Sequence, residues 1–134
     1  MTRFLPVSLL LLATACASPP EKVIIPPLPE NGGGVPFADL LQRARLQAGA
    51  ANEAFYVDGW AELEDAAKGI EQAARLLPKA TEVPVRHKDS LDKLSAGLAK
   101  DAASLREAAK AKEVSRSNQL LQRINLAVRE LRPE

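Results

Sequence analysis

His87 is the one imidazole in the chain, and chemistry has to start from it. Ser90 follows three residues later on the same helical face, while Asp89 at i+2 points elsewhere. A Ser–His–acid triad would need a third group from another segment and an oxyanion hole. No Gly-x-Ser-x-Gly elbow exists to supply them. His87 is therefore expected as an exposed or half-buried residue at a helix start, with isolated metal ligation a weaker alternative and catalysis weaker still. Carboxylates gather at Glu62, Glu64 and Asp65, and again at Asp89 and Asp92. A di-metal carboxylate bundle requires inward Glu and Glu-x-x-His pairs, and the sequence has no Glu-x-x-His. One Cys excludes an internal disulfide framework and any zinc site of several thiolates. The expectation is a protein with no catalytic residue, no metal and no cofactor.

The aromatic residues Phe55, Tyr56 and Trp60 cluster around a chain break at Asp58-Gly59. They read as an end-plug for an apolar core, with the Tyr hydroxyl and indole N–H reaching water, or as a partner-docking knob or small pocket. Aromatics make up only 4% of the 134 residues, too few for base-stacking platforms. Lys plus Arg total 18 against 17 Asp plus Glu, without the basic excess of a nucleic-acid binder.

The N-terminus reads as an address. Met1-Thr2-Arg3 is a basic start, Phe4 to Leu12 is apolar, and Ala13-Thr14-Ala15 is a small-residue stretch. That order is the secretory layout, and the apolar run is too short to span a bilayer. Leu12-Ala13-Thr14-Ala15-Cys16 resembles a bacterial lipoprotein box, with Ala13 where Leu is usual. The resemblance implies cleavage after residue 15 and lipidation of Cys16, with three acyl chains holding the protein to a membrane on the periplasmic side. Ala17 is not the Asp that signals inner-membrane retention, so the outer membrane is the expected destination. Removing residues 1–15 takes Arg3 and no acid, leaving 17 basic and 17 acidic side chains, and also removes the one Met.

Residues 16–36 then form the lipidated Cys and a linker. Pro19, Pro20, Pro26, Pro27, Pro29 and Pro36 with Gly32-Gly33-Gly34 exclude a helix or central strand. The expectation is a disordered tether, extended at about 3.1 Å per residue in its Pro-rich part. Val23-Ile24-Ile25 is a short apolar patch in it, either plain linker or a segment that packs on the domain or pairs with a partner.

From Phe37 the apolar period becomes 3.6. The first stripe is Phe37, Leu40, Leu41, Ala44, Ala48, Ala51 and Phe55, led by Pro36. Asp58 is a fair N-cap for the second, which is Trp60, Leu63, Ala67, Ile70, Ala74 and Leu77. Pro78 ends it, Lys79 to Val83 reads as a loop, and Pro84 suits the first turn of a third helix. That helix carries Leu91, Leu94, Leu98, Ala102, Leu105 and Ala109, and the fourth carries Val114, Ser117, Leu121, Ile124, Val128 and Leu131 before Pro133. Asp39–Arg43, Glu64–Lys68, Glu71–Arg75 and Asp89–Lys93 are acid-before-base at i,i+4, the order that suits solvated helix faces. Residues 37–132 are thus expected to form an all-α, antiparallel four-helix bundle running up-down-up-down.

A periplasmic four-helix bundle with a Pro-led third helix and an Arg near its end resembles the cytochrome c-prime group. In that family the last helix carries C-x-x-C-H-x-x-[FY]-R, whose thiols bond to haem and whose His is the axial ligand. The corresponding run is Leu121-Gln122-Arg123-Ile124-Asn125-Leu126-Ala127-Val128-Arg129. Leu121 and Ile124 stand at the thiol positions and Asn125 at the His, so the resemblance implies the scaffold without the haem. It covers about residues 37–132.

The functional expectation is a non-enzymatic, lipid-anchored envelope protein, a haem-less bundle that docks a partner protein or serves a structural role. A periplasmic carrier of a small ligand or metal is the second reading, and it requires an apolar cavity of at least about 300 Å³. A haem-binding electron carrier is the third. Partners are the membrane, through the lipid, and an envelope protein, not nucleic acid. A dimer is open.

Overall fold

The structure is a computed structural model that describes Ile25, Pro27, Leu28 and residues 34–133. Residues 1–15, expected as a leader, Cys16 and most of the expected tether lie outside the described residues. Among those described there are four α-helices and no strand. These are α1 (Phe37–Tyr56), α2 (Trp60–Leu76), α3 (Leu91–Lys110) and α4 (Val114–Glu130). The apolar stripes explain them. Leu40, Ala44, Ala51, Leu63, Ala67, Ile70, Leu98, Ala102, Leu105 and Ile124 are all fully buried in one core. Small Ala positions let α1 and α2 come close. A Cβ at Gly69 in α2 would lie 2.5 Å from the Gln47 side chain of α1. Each helix packs on its neighbours in chain order, and α4 closes the ring on α1 through the sparsest of the four interfaces. Ion pairs Glu64–Lys110 and Glu71–Arg106 join α2 to α3, climbing one helix as they descend the other, so these two helices run in opposite directions.

The two tight turns are built alike. Asp58 (φ 56°) and Lys112 (φ 53°) take the left-handed conformation just past α1 and α3. The next N–H reaches back five residues, Gly59 to the Ala54 carbonyl at 2.8 Å and Glu113 to the Ala108 carbonyl at 2.9 Å. This is the Schellman closure, which satisfies carbonyls that a helix end leaves without partners. Asp58 therefore terminates α1 and does not cap α2, whose N-cap is Gly59 with no side-chain bond. The corrected expectation has a simple cause: a residue in the left-handed region is not placed to cap the helix that starts two residues later.

The long connection departs further from the sequence reading. Pro84 does not open the third helix. It precedes a short 3-10 turn, Val85–His87, and α3 begins only at Leu91. Another 3-10 turn, Leu77–Lys79, holds Pro78 and extends the end of α2. Thr81 is tied to the chain entering α1: Phe37 N–H donates to its carbonyl at 2.8 Å and Thr81 N–H to the Val35 carbonyl at 3.0 Å. The connection thus plugs one end of the bundle and is held there by backbone bonds.

Two expectations about faces are also corrected. Val114 is 58% exposed although it continues the α4 stripe, because it stands in the first turn after the closure at Lys112. Glu71 is 5% exposed and does not sit on a solvated face. Its Oε1 accepts from Arg75 at 2.6 Å and its Oε2 lies 3.1 Å from Arg106 Nη1 of α3, so it ties two helices. Glu64 pairs with Lys110 of α3 at 3.8 Å. No ion pair joins Asp89 to Lys93, since Asp89 lies before α3 begins.

Candidate functional site

His87 is 3% exposed, not at the surface as its position suggested. Its ring stacks on Phe37 at 5.8 Å between centroids and 26° between planes. Its Nε2 is 2.6 Å from the Arg132 carbonyl just past α4, so Nε2 carries the proton and donates. A nitrogen used this way is not free to take a metal, and the ring fastens the 3-10 turn to the start of α1 and the end of α4. Ser90 contributes only its backbone here, its N–H donating to the His87 carbonyl at 3.2 Å. Among the described residues, Ser90 and His87 are not brought together as a nucleophile and base.

At the opposite end, the aromatic trio divides. Phe55 and Trp60 are half-buried against the core, edge to face at 6.3 Å. Tyr56 is 82% exposed and touches only the Phe55 edge, at 6.1 Å. Phe55 and Trp60 thus pack on the core at this end of the bundle, and the phenol stands in solvent.

Leu121, Ile124 and Asn125 divide between the core and a polar clasp. Leu121 is 4% exposed and Ile124 is fully buried, both within the single core. Asn125 is half-buried and faces Asn52 of α1. Each carboxamide donates to the other's Oδ1 at 3.2 Å, and this reciprocal pair links α1 to α4 where their packing is sparsest. Sequence reading placed Asn125 only by analogy, and its partner 73 residues away carries no local signal.

Two clefts open on the surface. One, of about 280 Å³, is lined by Ile25, Pro27 and Leu28 together with Arg43, Gln47, Asp65, Lys68, Gly69 and Gln72 of α1 and α2. Leu28 packs against the core there, so part of the Pro-rich segment lies on the α1–α2 face. The other, of about 320 Å³, lies between α1 and α4 and is lined by Arg45, Asn125, Val128, Arg129 and Arg132. The first lining mixes apolar residues with charged and amide side chains, and the second joins three arginines and Asn125 to Val128. Among the described residues no three His, Cys, Asp or Glu side chains gather as a metal set, and no helix is long and apolar enough to cross a membrane.

Compared with known proteins, the chain matches no protein-family model, no curated protein and no solved structure.

Proposed function

We propose that this chain is a lipid-anchored protein of the bacterial cell envelope, facing the periplasm from the outer membrane, and that its bundle is a non-enzymatic docking or structural module. The reading places it beside the cytochrome c-prime group as a scaffold without haem. The observation that carries it is the pairing of Leu12-Ala13-Thr14-Ala15-Cys16 with a last helix whose porphyrin-bonding positions are Leu121 and Ile124, both buried in the core. Covalent haem attachment needs thiols, and neither position offers one. The Pro-containing stretch between Cys16 and Ile25, ahead of the part that lies on the α1–α2 face, gives such a module reach from a membrane surface. A mature chain with equal numbers of acidic and basic side chains suits contact with a protein better than with a polyanion.

The experiment is metabolic labelling with a radiolabelled fatty acid in a bacterial host, followed by membrane fractionation and in-cell crosslinking. The proposal expects label in the chain, loss of label in Cys16→Ser, sedimentation with outer membrane, and a crosslinked envelope protein. An unlabelled chain released freely from the periplasm contradicts the anchor. A labelled chain with no crosslink and no effect of its deletion on the envelope contradicts the docking role.

A further inference from the structure

The charge of the bundle is unevenly shared. Helix α2 carries four acids, Glu62, Glu64, Asp65 and Glu71, while α4 carries Arg116, Arg123 and Arg129 against the single acid Glu130. Most arginines on the other faces are neutralised: Arg75 and Arg106 by Glu71, Arg116 by Glu113, and Arg123 by Asp101 at 2.8 Å. Arg45, Arg129 and Arg132 differ. They form no ion pair among the described residues, and all three line the same cleft of about 320 Å³. Glu130 is not in its lining.

The cleft also has a fixed frame. Asn125, Arg129 and Arg132 follow one another at spacings of four and three, one face of α4 and its C-terminal turn. Arg45 and Asn52 are seven residues apart, two turns along one face of α1. The Asn52–Asn125 pair holds the two faces in register at one end of the cleft. At the other end the buried His87 ring holds the Arg132 backbone through its carbonyl, so the base of the Arg132 side chain is placed by the core. Three like charges set close together repel, and they are tolerable because they are exposed to water. A multivalent oxyanion between them would remove that repulsion and accept their forked N–H donors in pairs.

We infer that the α1–α4 cleft is a binding site for a phosphate-bearing ligand, held by Arg45, Arg129 and Arg132 with the Asn125 carboxamide beside them. A phosphoryl group offers three or more oxygens to three guanidinium groups, whereas a carboxylate offers two. The volume exceeds what one phosphate fills, leaving room for a small organic body or for the glycerol portion of a lipid headgroup. This inference is independent of the proposed envelope role, since it needs neither the lipid on Cys16 nor a protein partner.

The test is a nuclear magnetic resonance titration of the purified full chain at low salt, following arginine Nε–H and asparagine amide signals. Inorganic phosphate, glycerol 3-phosphate and succinate are the soluble probes. Phosphatidylcholine vesicles with and without phosphatidic acid are the lipid arm. Saturable shifts of Arg45, Arg129, Arg132 and Asn125 with the phosphates, and weaker binding of succinate, support the site. Arg45→Gln and Arg129→Gln should each weaken binding about tenfold, a loss of about 1.4 kcal/mol. Arg116→Gln, whose side chain is engaged by Glu113 in the first turn of α4, should leave it unchanged. Binding to phosphatidic acid vesicles that is lost in Arg45→Gln, without saturation by free phosphates, assigns the same chemistry to a lipid headgroup. The inference is overturned if no probe saturates these signals, if succinate binds as tightly as phosphate, or if Arg116→Gln weakens binding as much as Arg45→Gln.

Discussion

Replacing Asn52 and Asn125 by leucine, singly and together, probes how α4 is held to α1. The pair makes two reciprocal hydrogen bonds of 3.2 Å between half-buried carboxamides. Each bond is worth about 0.5–1.5 kcal/mol net, and a partner left without its bonds carries a further desolvation penalty. Both residues retain some exposure, so water recovers part of that loss. Asn52→Leu alone and Asn125→Leu alone should each destabilise by about 1–2 kcal/mol. The double variant replaces both partners by apolar groups of similar volume, and it should return to within about 0.5 kcal/mol of the parent. The cycle therefore gives a coupling energy of roughly 1.5–4 kcal/mol, well above the additivity error for distant sites. In a domain of this size each kcal/mol moves the midpoint by about 4–8 °C, so thermal melts by circular dichroism, backed by urea titration, resolve it. Single variants at the parent midpoint, or a double variant whose loss is the sum of the singles, would refute the reasoning.

Three further outcomes follow from the fold. Ser117 is fully buried and its Oγ has no partner, so Ser117→Ala should raise stability by about 1 kcal/mol in urea titration. Lys112 holds a left-handed conformation that costs a non-glycine residue about 1 kcal/mol, and Lys112→Gly should raise the thermal midpoint by a few degrees. Glu71→Gln removes the charge between Arg75 and Arg106. Their side chains are 70% and 31% exposed, so hydration limits the loss to about 1–2 kcal/mol, against the 3–5 of a fully buried pair, again read by urea titration.

The helices were legible because burial imposes a period, and the residues on the stripes from Leu40 to Leu131 are overwhelmingly the core. The ends were less so, since turn geometry overrides the pattern there. Val114 fits the spacing but stands outside the packed layer, and Asp58 has cap chemistry yet serves a left-handed turn. Pro84 can begin a helix, but three residues of 3-10 turn at Val85–His87 satisfied it first. His87 looked like a surface residue because nothing local announces Phe37 and the Arg132 carbonyl, 50 and 45 residues away. The same distance hid the α1–α4 cleft. Arg45 and Arg129 are ordinary helix-surface residues until two faces are brought together, and only the bias of α4 toward arginine hinted at it.

Under the proposed function, the buried aliphatic side chains of Leu121 and Ile124 fill the volume in which a cytochrome c-prime would seat its haem. The most direct test of this is the visible absorbance spectrum of the full chain, produced in cells with active cytochrome c maturation and then titrated with haemin. The expected result is no Soret band in the purified protein and no saturable haem binding. A coloured, iron-containing preparation, or a stoichiometric haem complex abolished by substitutions lining the bundle interior, would contradict it.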